Sequence, residues 1–253
     1  MKLVNDLRLL WWRRLLETLR QPAWVFVALS TPLLYLALFA PLLQSFAGGP
    51  GFRSGRVLDV FVPGILALLA FSSGQGSGWI VIGELDSGLI ERLRVTPTSR
   101  FALMLATSLR DVVAMAVPAL IVVLVAIPFG FHPHWAGIAV LLVLLSLLTA
   151  STSAVSNALG LVLREIGSLA SIVVSLTLPL TLLSGVLLPL SLAPGWMRAL
   201  AHFNPLYYAV EASRSLSAGS IATWTVGEAF LVMAGVLVAS CWWATRSYRV
   251  AVS

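Results

Sequence analysis

Charge and sulfur are both scarce in this chain. Charged residues make up 10% of its 253 positions, against about 25% in an average soluble domain, so its surface is not one that faces water on all sides. Cys241 is the only cysteine. That excludes an intrachain disulfide and a cysteine-based metal cluster. Lys2 is the only lysine. A phosphate-binding loop of the G-x-x-x-x-G-K-[ST] kind places its lysine behind a glycine-rich turn, and Lys2 has none, so the chain is not expected to be an ATPase or to bind a cofactor of its own. The histidines are His132, His134 and His202, all outside the long apolar runs. A serine hydrolase working at membrane depth needs a histidine beside its serine and is excluded on that count. His132-x-His134 has no carboxylate or cysteine beside it and reads as a solvated turn, so no metal site is expected.

Hydrophobicity is what the chain has in quantity: 59% of residues are apolar and the mean hydropathy is +0.96. The net charge is +6 and the pI near 10.4. The basic residues sit between apolar runs and form no patch, which is how positive charge orients membrane helices and not how nucleic acid is bound. No run alternates polar with apolar residues, so a β-barrel is excluded. The expectation is an all-α membrane protein, a single transmembrane domain over residues 1–253.

Residues 1–22 read as an amphipathic interfacial helix. Lys2, Asp6, Arg13, Glu17 and Arg20 fall within an arc of roughly 60° on a helical projection. Leu3, Val4, Leu7, Leu10, Trp11 and Leu15 occupy the other side. Arg8 and Arg14 interrupt the apolar face, with stems long enough to snorkel to the headgroups. Such a helix lies in the interface plane; packing on a partner protein is the alternative. Charge from Lys2 through Arg20 also argues against a cleavable signal.

Six apolar runs follow, over residues 23–46, 57–83, 101–129, 135–163, 166–190 and 224–244. Each reaches the ~20 residues that cross a bilayer core. With the N-terminus inside, the cytosolic segments hold Lys2, Arg8, Arg13, Arg14, Arg20, Arg92, Arg94, Arg100, Arg164, Arg246 and Arg249, and the outer ones Arg53, Arg56, Arg198 and Arg214. That asymmetry places both termini in the cytoplasm.

Two connections are long enough to carry structure. In the cytosolic segment 84–100, Leu85, Leu89, Ile90 and Leu93 share a helical face. Glu84, Asp86, Glu91, Arg92 and Arg94 are its charged positions, and Pro97 ends it before the third span. The residues alone leave two readings open, a docking element or a solvated loop whose arginines set topology. The outer segment 191–223 is only partly polar and suits short re-entrant helices dipping into the outer leaflet.

Two local words then bring a family to mind: Gly88-Leu89-Ile90-Glu91-Arg92-Leu93-Arg94-Val95-Thr96-Pro97 after the second span, and Asn204-Pro205-Leu206-Tyr207-Tyr208 before the sixth. With the interfacial helix and six spans, the whole chain resembles a permease of the ATP-binding-cassette type-2 exporters, the daunorubicin-resistance and polysaccharide-export kind. The resemblance implies a pair of permeases, identical or paralogous, in the cell (inner) membrane. It implies cytosolic ATPase subunits that hold ATP and Mg, and outward transport of a drug, lipid or glycoconjugate. It further implies that Glu84, Asp86, Leu89, Ile90, Glu91, Arg92, Leu93, Arg94 and Pro97 couple to the ATPase, and that Asn204, Pro205, Tyr207 and Tyr208 form an outer re-entrant motif. A secondary transporter or channel, or a membrane anchor, are the competing readings.

Polar groups within the spans are the remaining candidates. Ser72, Ser73, Gln75, Gly76 and Ser77 lie in the second span, and Ser168, Ser171, Ser175, Thr177, Thr181 and Ser184 in the fifth, around Pro179. Gly74 and Gly78 form a G-x-x-x-G pair, read either as close helix packing or as a dimer seam. The resemblance places the second and fifth spans at the substrate route. Ser151 to Gly160 in the fourth span read as packing. Arg110-Asp111 is the only adjacent ion pair in a span; neighbours in sequence point about 100° apart and need not pair. A snorkelling Arg110 is preferred to a proton or substrate role.

Overall fold

The computed structural model describes residues 2–20, 23–44, 57–88, 100–186, 190 and 193–251. All regular structure among them is helical. In chain order the helices are α1 (Lys2–Leu19), α2 (Ala23–Gln44), α3 (Val57–Gln75), α4 (Ser77–Asp86), α5 (Arg100–Ala126), α6 (Trp135–Leu163), α7 (Ile166–Leu183), α8 (Gly195–Ala201), α9 (Pro205–Ser217) and α10 (Trp224–Ala251). A 3-10 turn, Ile127–Phe129, ends α5.

Among the described residues, five elements are long and apolar enough to cross a membrane: Leu58–Asp86, Leu105–Phe129, Trp135–Leu163, Ile166–Leu183 and Trp224–Ser247. A sixth is possible by length if the bent pair Arg8–Thr18 and Ala23–Phe39, which turns by 73°, is counted as one span.

α6 is the hub. It has no proline in its 29 residues, about 43 Å of axis, and it packs on α3, α4, α5, α9 and α10. Its face toward α3–α4 is built from small residues, so backbones meet closely. At Gly74 an added Cβ would lie 2.0 Å from Thr152 Oγ1 and 2.5 Å from the Thr149 carbonyl; at Gly78 it would lie 2.5 Å from the Ser156 carbonyl. The G-x-x-x-G pair is therefore consumed inside the chain, and Gly74 and Gly78 are not available as a dimer seam.

The remaining departures from the sequence expectation have local causes. The fifth apolar run stops being helical at Leu183, where Gly185 turns the chain at φ 74°, a left-handed conformation that costs glycine little. The last helix runs on to Ala251, past the expected 244. His134 is exposed in the turn, as expected, and its Nδ1 also accepts the Gly137 N–H at 3.3 Å and caps α6. Arg14 does not snorkel. It is buried, and its guanidinium meets both oxygens of Glu84 at 2.8 and 3.0 Å, while α1 lies along α5. So Glu84, in the last turn of α4, has its carboxylate turned into the molecule.

Residues 193–223 fold into α8 and α9, and α9 is packed into the bundle on α3, α6 and α10. Asn204 starts it with two bonds, accepting the Leu206 N–H at 3.0 Å and donating to the Leu180 carbonyl of α7 at 2.7 Å. Pro205 takes the first helical position, where a missing N–H costs nothing. The Arg214 side chain is largely buried: it donates to Gly185 O at 2.6 Å and to Glu211 at 2.8 Å, tying α9 to the end of α7.

Candidate functional site

Few residues of α7 are buried. It borders a cleft of about 1110 Å³ whose other walls come from α2, α3–α4 and α5, and Val174 and Leu178, 69% and 67% exposed, belong to that cleft's lining. Its lining is mainly apolar, with Trp24, Tyr35 and Trp79 as the aromatic members. Most of the polar groups converge from α3, α5 and α7, with Thr18 and Thr31 added from α1 and α2, the composition expected of a site that takes a largely apolar ligand and orients it.

From α3 come Ser72, Ser73, Gln75 and, at the α3–α4 break, Gly76; from α7 come Thr177 and Thr181. The Gln75 amide donates to Thr177 Oγ1 at 2.8 Å, bridging the two helices. The hydroxyl protons are committed to the helices' own carbonyls, Ser72 to Leu68, Ser73 to Leu69, Thr177 to Val173 and Thr181 to Thr177. Their oxygens remain as acceptors. Behind the Gln75–Thr177 bridge lies a smaller cavity of about 190 Å³, shared with Asn204 and the α6 residues Ser151 and Thr152.

The other sequence candidates fall elsewhere. Ser77 is buried away from the cleft. Ser171 and Ser175 are exposed on α7 and do not line it. Ser184 is buried, donating to Thr181 O at 2.7 Å. Asp86 is exposed at the end of α4. Leu89, Ile90, Glu91, Arg92, Leu93, Arg94 and Pro97 lie outside the described residues. Tyr207 and Tyr208 stack edgewise on each other and around His202 at the start of α9, with ring centroids 5.3 Å apart.

Sequence reasoning missed the charged wall. Arg110 and Asp111 line the cleft and, against the expectation from their spacing, they pair: Arg110 Nε donates to Asp111 Oδ1 at 3.0 Å, and Nη2 bonds the same oxygen. An arginine side chain is long enough to fold back over its neighbour, which the 100° rule for Cα–Cβ directions leaves out. Asp111 is 1% exposed. Its Oδ2 takes the hydroxyls of Ser77 from α4 and of Ser153 from α6, the latter at 2.6 Å. The signal was present in the sequence as the one adjacent ion pair within a span.

Comparison with known proteins decides what kind of molecule carries this cleft. A sequence model of the family described as ABC-2 type transporter matches residues 5–217. The chain belongs to the ABC-2 type transporter family. It is a permease subunit, a multi-pass membrane protein, and permeases of this family work with ATPase subunits. The chain is 25% identical over 240 residues to the daunorubicin resistance ABC transporter permease protein DrrB1 of Streptomyces coeruleorubidus, covering 94% of this chain and 84% of that one. It is 28% identical over 215 residues to ycf38 of Cyanophora paradoxa, named as a transport permease, covering 84% and 74% respectively. A ycf38 of Pyropia yezoensis is 27% identical over 217 residues, covering 85% and 74%.

Proposed function

We propose that this permease is the membrane half of an exporter that moves an amphipathic compound outward, driven by ATP and Mg held on separate cytosolic ATPase subunits. The observation that carries this is the cleft of about 1110 Å³, apolar with a few converging polar groups and set among spanning helices. A compound of mixed polarity matches it, and the drug-resistance name of one relative is of that kind. Gly76→Leu tests it directly. An added Cβ there meets only Ser73 O at 3.8 Å, so leucine is accommodated at the helix break and projects toward the cleft. Transport should fall by about tenfold or more while the ATPase subunit still co-purifies. Undiminished transport argues against the cleft as the route.

The finer architecture of this reading has six spans. α1 is an interfacial helix, α2 the first span, residues 84–100 a coupling element, and α8–α9 the outer re-entrant helices. A second permease copy or paralogue covers the exposed side of α7, where Ser171 and Ser175 lie. The arginine asymmetry supports cytoplasmic termini in the inner membrane; a reporter fused after Ser253 that works only outside the cell contradicts this. The amphipathic pattern of 84–100, with charges free for a soluble partner, supports ATPase docking. Exchanging Glu91 and Arg92 keeps the net charge, so insertion should persist while ATPase binding weakens by about tenfold. Wild-type binding and export in that exchange variant would remove the coupling role.

A further inference from the structure

The Asp111 carboxylate has nothing left to offer a ligand. Oδ1 is taken by Arg110, Oδ2 by Ser77 and Ser153, and Ser108 donates in turn to Ser153 at 3.3 Å. A carboxylate so saturated fixes its partner's plane and orientation. Arg110 is different. Only Nε and Nη2 are engaged, both on Oδ1, and Nη1 makes no hydrogen bond among the described residues. Its side chain is 17% exposed and forms part of the cleft wall. The cluster lies ~15 Å along the axis from the Arg100 end of α5 and from the Leu163 end of α6, within the spans.

The charge balance of this wall selects the head group. Arg110 and Asp111 cancel, and among the described residues no other charged side chain lines the cleft. An ionised phosphate would add an uncompensated negative charge where the dielectric is low. An ammonium would find the only carboxylate full and a guanidinium facing it. An uncharged head rich in hydroxyl and carbonyl oxygen meets neither penalty. Its oxygens accept from Arg110 Nη1, and its hydroxyls donate to Gln75 Oε1 and to the free lone pairs of Ser72 and Ser73.

We propose that the Arg110 wall of the cleft is a head-group site for uncharged, oxygen-rich amphiphiles, such as a glycosyl head on an apolar tail. Arg110 is the specificity-determining residue and Asp111 positions it. The transport consequence rests on the exporter reading; binding does not.

Three amphiphiles sharing one nitrobenzoxadiazole-labelled tail and carrying a glucosyl, a phosphate or an amine head test this on the purified permease in neutral detergent. Binding is read by energy transfer from tryptophan, of which Trp24 and Trp79 line the cleft. The glucosyl head should bind about tenfold more tightly than either charged one, the scale of a hydrogen bond to a charged donor. The double variant Arg110→Gln/Asp111→Asn, which adds no net charge, should reduce that preference to within about twofold. Asp111→Asn alone leaves Arg110 uncompensated and should invert the order in favour of the phosphate head, which a purely structural role for Asp111 would not do. A charged head binding best to the wild type, or a preference that survives the double variant, overturns the proposal. If Asp111→Asn does not fold, the double variant decides. In proteoliposomes with the ATPase subunit, head-group preference without ATP-driven movement removes the exporter reading and keeps the site. Movement without preference does the reverse.

Discussion

Gly78→Ala is expected to lower the thermal stability of the permease by up to about 3 kcal/mol, and Gly74→Ala to do the same, although each adds only one methyl. At Gly78 the new carbon would sit 2.5 Å from the Ser156 carbonyl and 2.8 Å from Leu169 Cδ2; at Gly74 it would sit 2.5 Å from the Thr149 carbonyl and 2.8 Å from the Ser153 nitrogen. Most of these neighbours are backbone of the central helix, which cannot rotate aside as a side chain would. Relief requires moving α3–α4 away from α6, and that disturbs the Ser77 and Ser153 bonds to Asp111 as well. Overpacking of a close helix contact typically costs about 1–3 kcal/mol, and both sites should lie at the upper end. Gly83→Ala is the control, because nothing lies within 4 Å of its added carbon. Unfolding midpoints in detergent should fall for the first two variants and stay put for the third. Equal midpoints for Gly78→Ala and Gly83→Ala would contradict the close packing.

How much of this was legible in the sequence depends on the kind of signal. The spans at residues 135–163 and from 57 onward were legible because hydropathy records a bulk property, transfer from water to lipid, that needs no tertiary context. Ser72, Ser73, Gln75 and Gly76 share one cleft with Thr177 and Thr181, and shared composition is the sequence signal that groups them. Composition cannot say which face of a helix a residue occupies, however. Ser171, Ser175, Ser184 and Ser77 share the chemistry of their neighbours and fall outside the cleft. Ends of helices were legible only where a residue forces them. Pro205 and Asn204 fix the start of α9, whereas the stop at Leu183 depends on a glycine whose turn is invisible to hydropathy.

Long-range ion pairs were the least legible. Nothing local links Arg14 to Glu84, which are brought together because α1 folds back along α5. The inference that Arg14 would snorkel treated the interfacial helix as facing lipid alone. In the same way Arg110 was weighed against water and headgroups, when its partner was the next residue. Charges inside a membrane protein settle by whichever counter-charge the fold supplies, and sequence distance does not measure that.

Asp111→Ala carries the other large expected effect, and its value lies in comparison with a double variant. Removing the carboxylate leaves the Arg110 guanidinium, with a side chain 17% exposed, without a counter-ion, and takes the acceptor from the Ser77 and Ser153 hydroxyls. Breaking one side of a buried pair costs about 3–5 kcal/mol, because the stranded charge keeps its full desolvation penalty. Much of a marginally stable protein's reserve, about 5–15 kcal/mol, would be gone. The variant should therefore appear in the membrane at low abundance and unfold at lower temperature in detergent. Arg110→Leu/Asp111→Ala removes the whole pair and strands no charge, so only the serine hydroxyls lose a partner. It should recover more than half of the lost stability. If the double variant is as unstable as Asp111→Ala, the packing around these side chains, and not their mutual neutralisation, holds α4, α5 and α6 together. If Asp111→Ala is as stable as wild type, Arg110 has found water or a headgroup, and the charged wall of the cleft is not the dry, paired one described above.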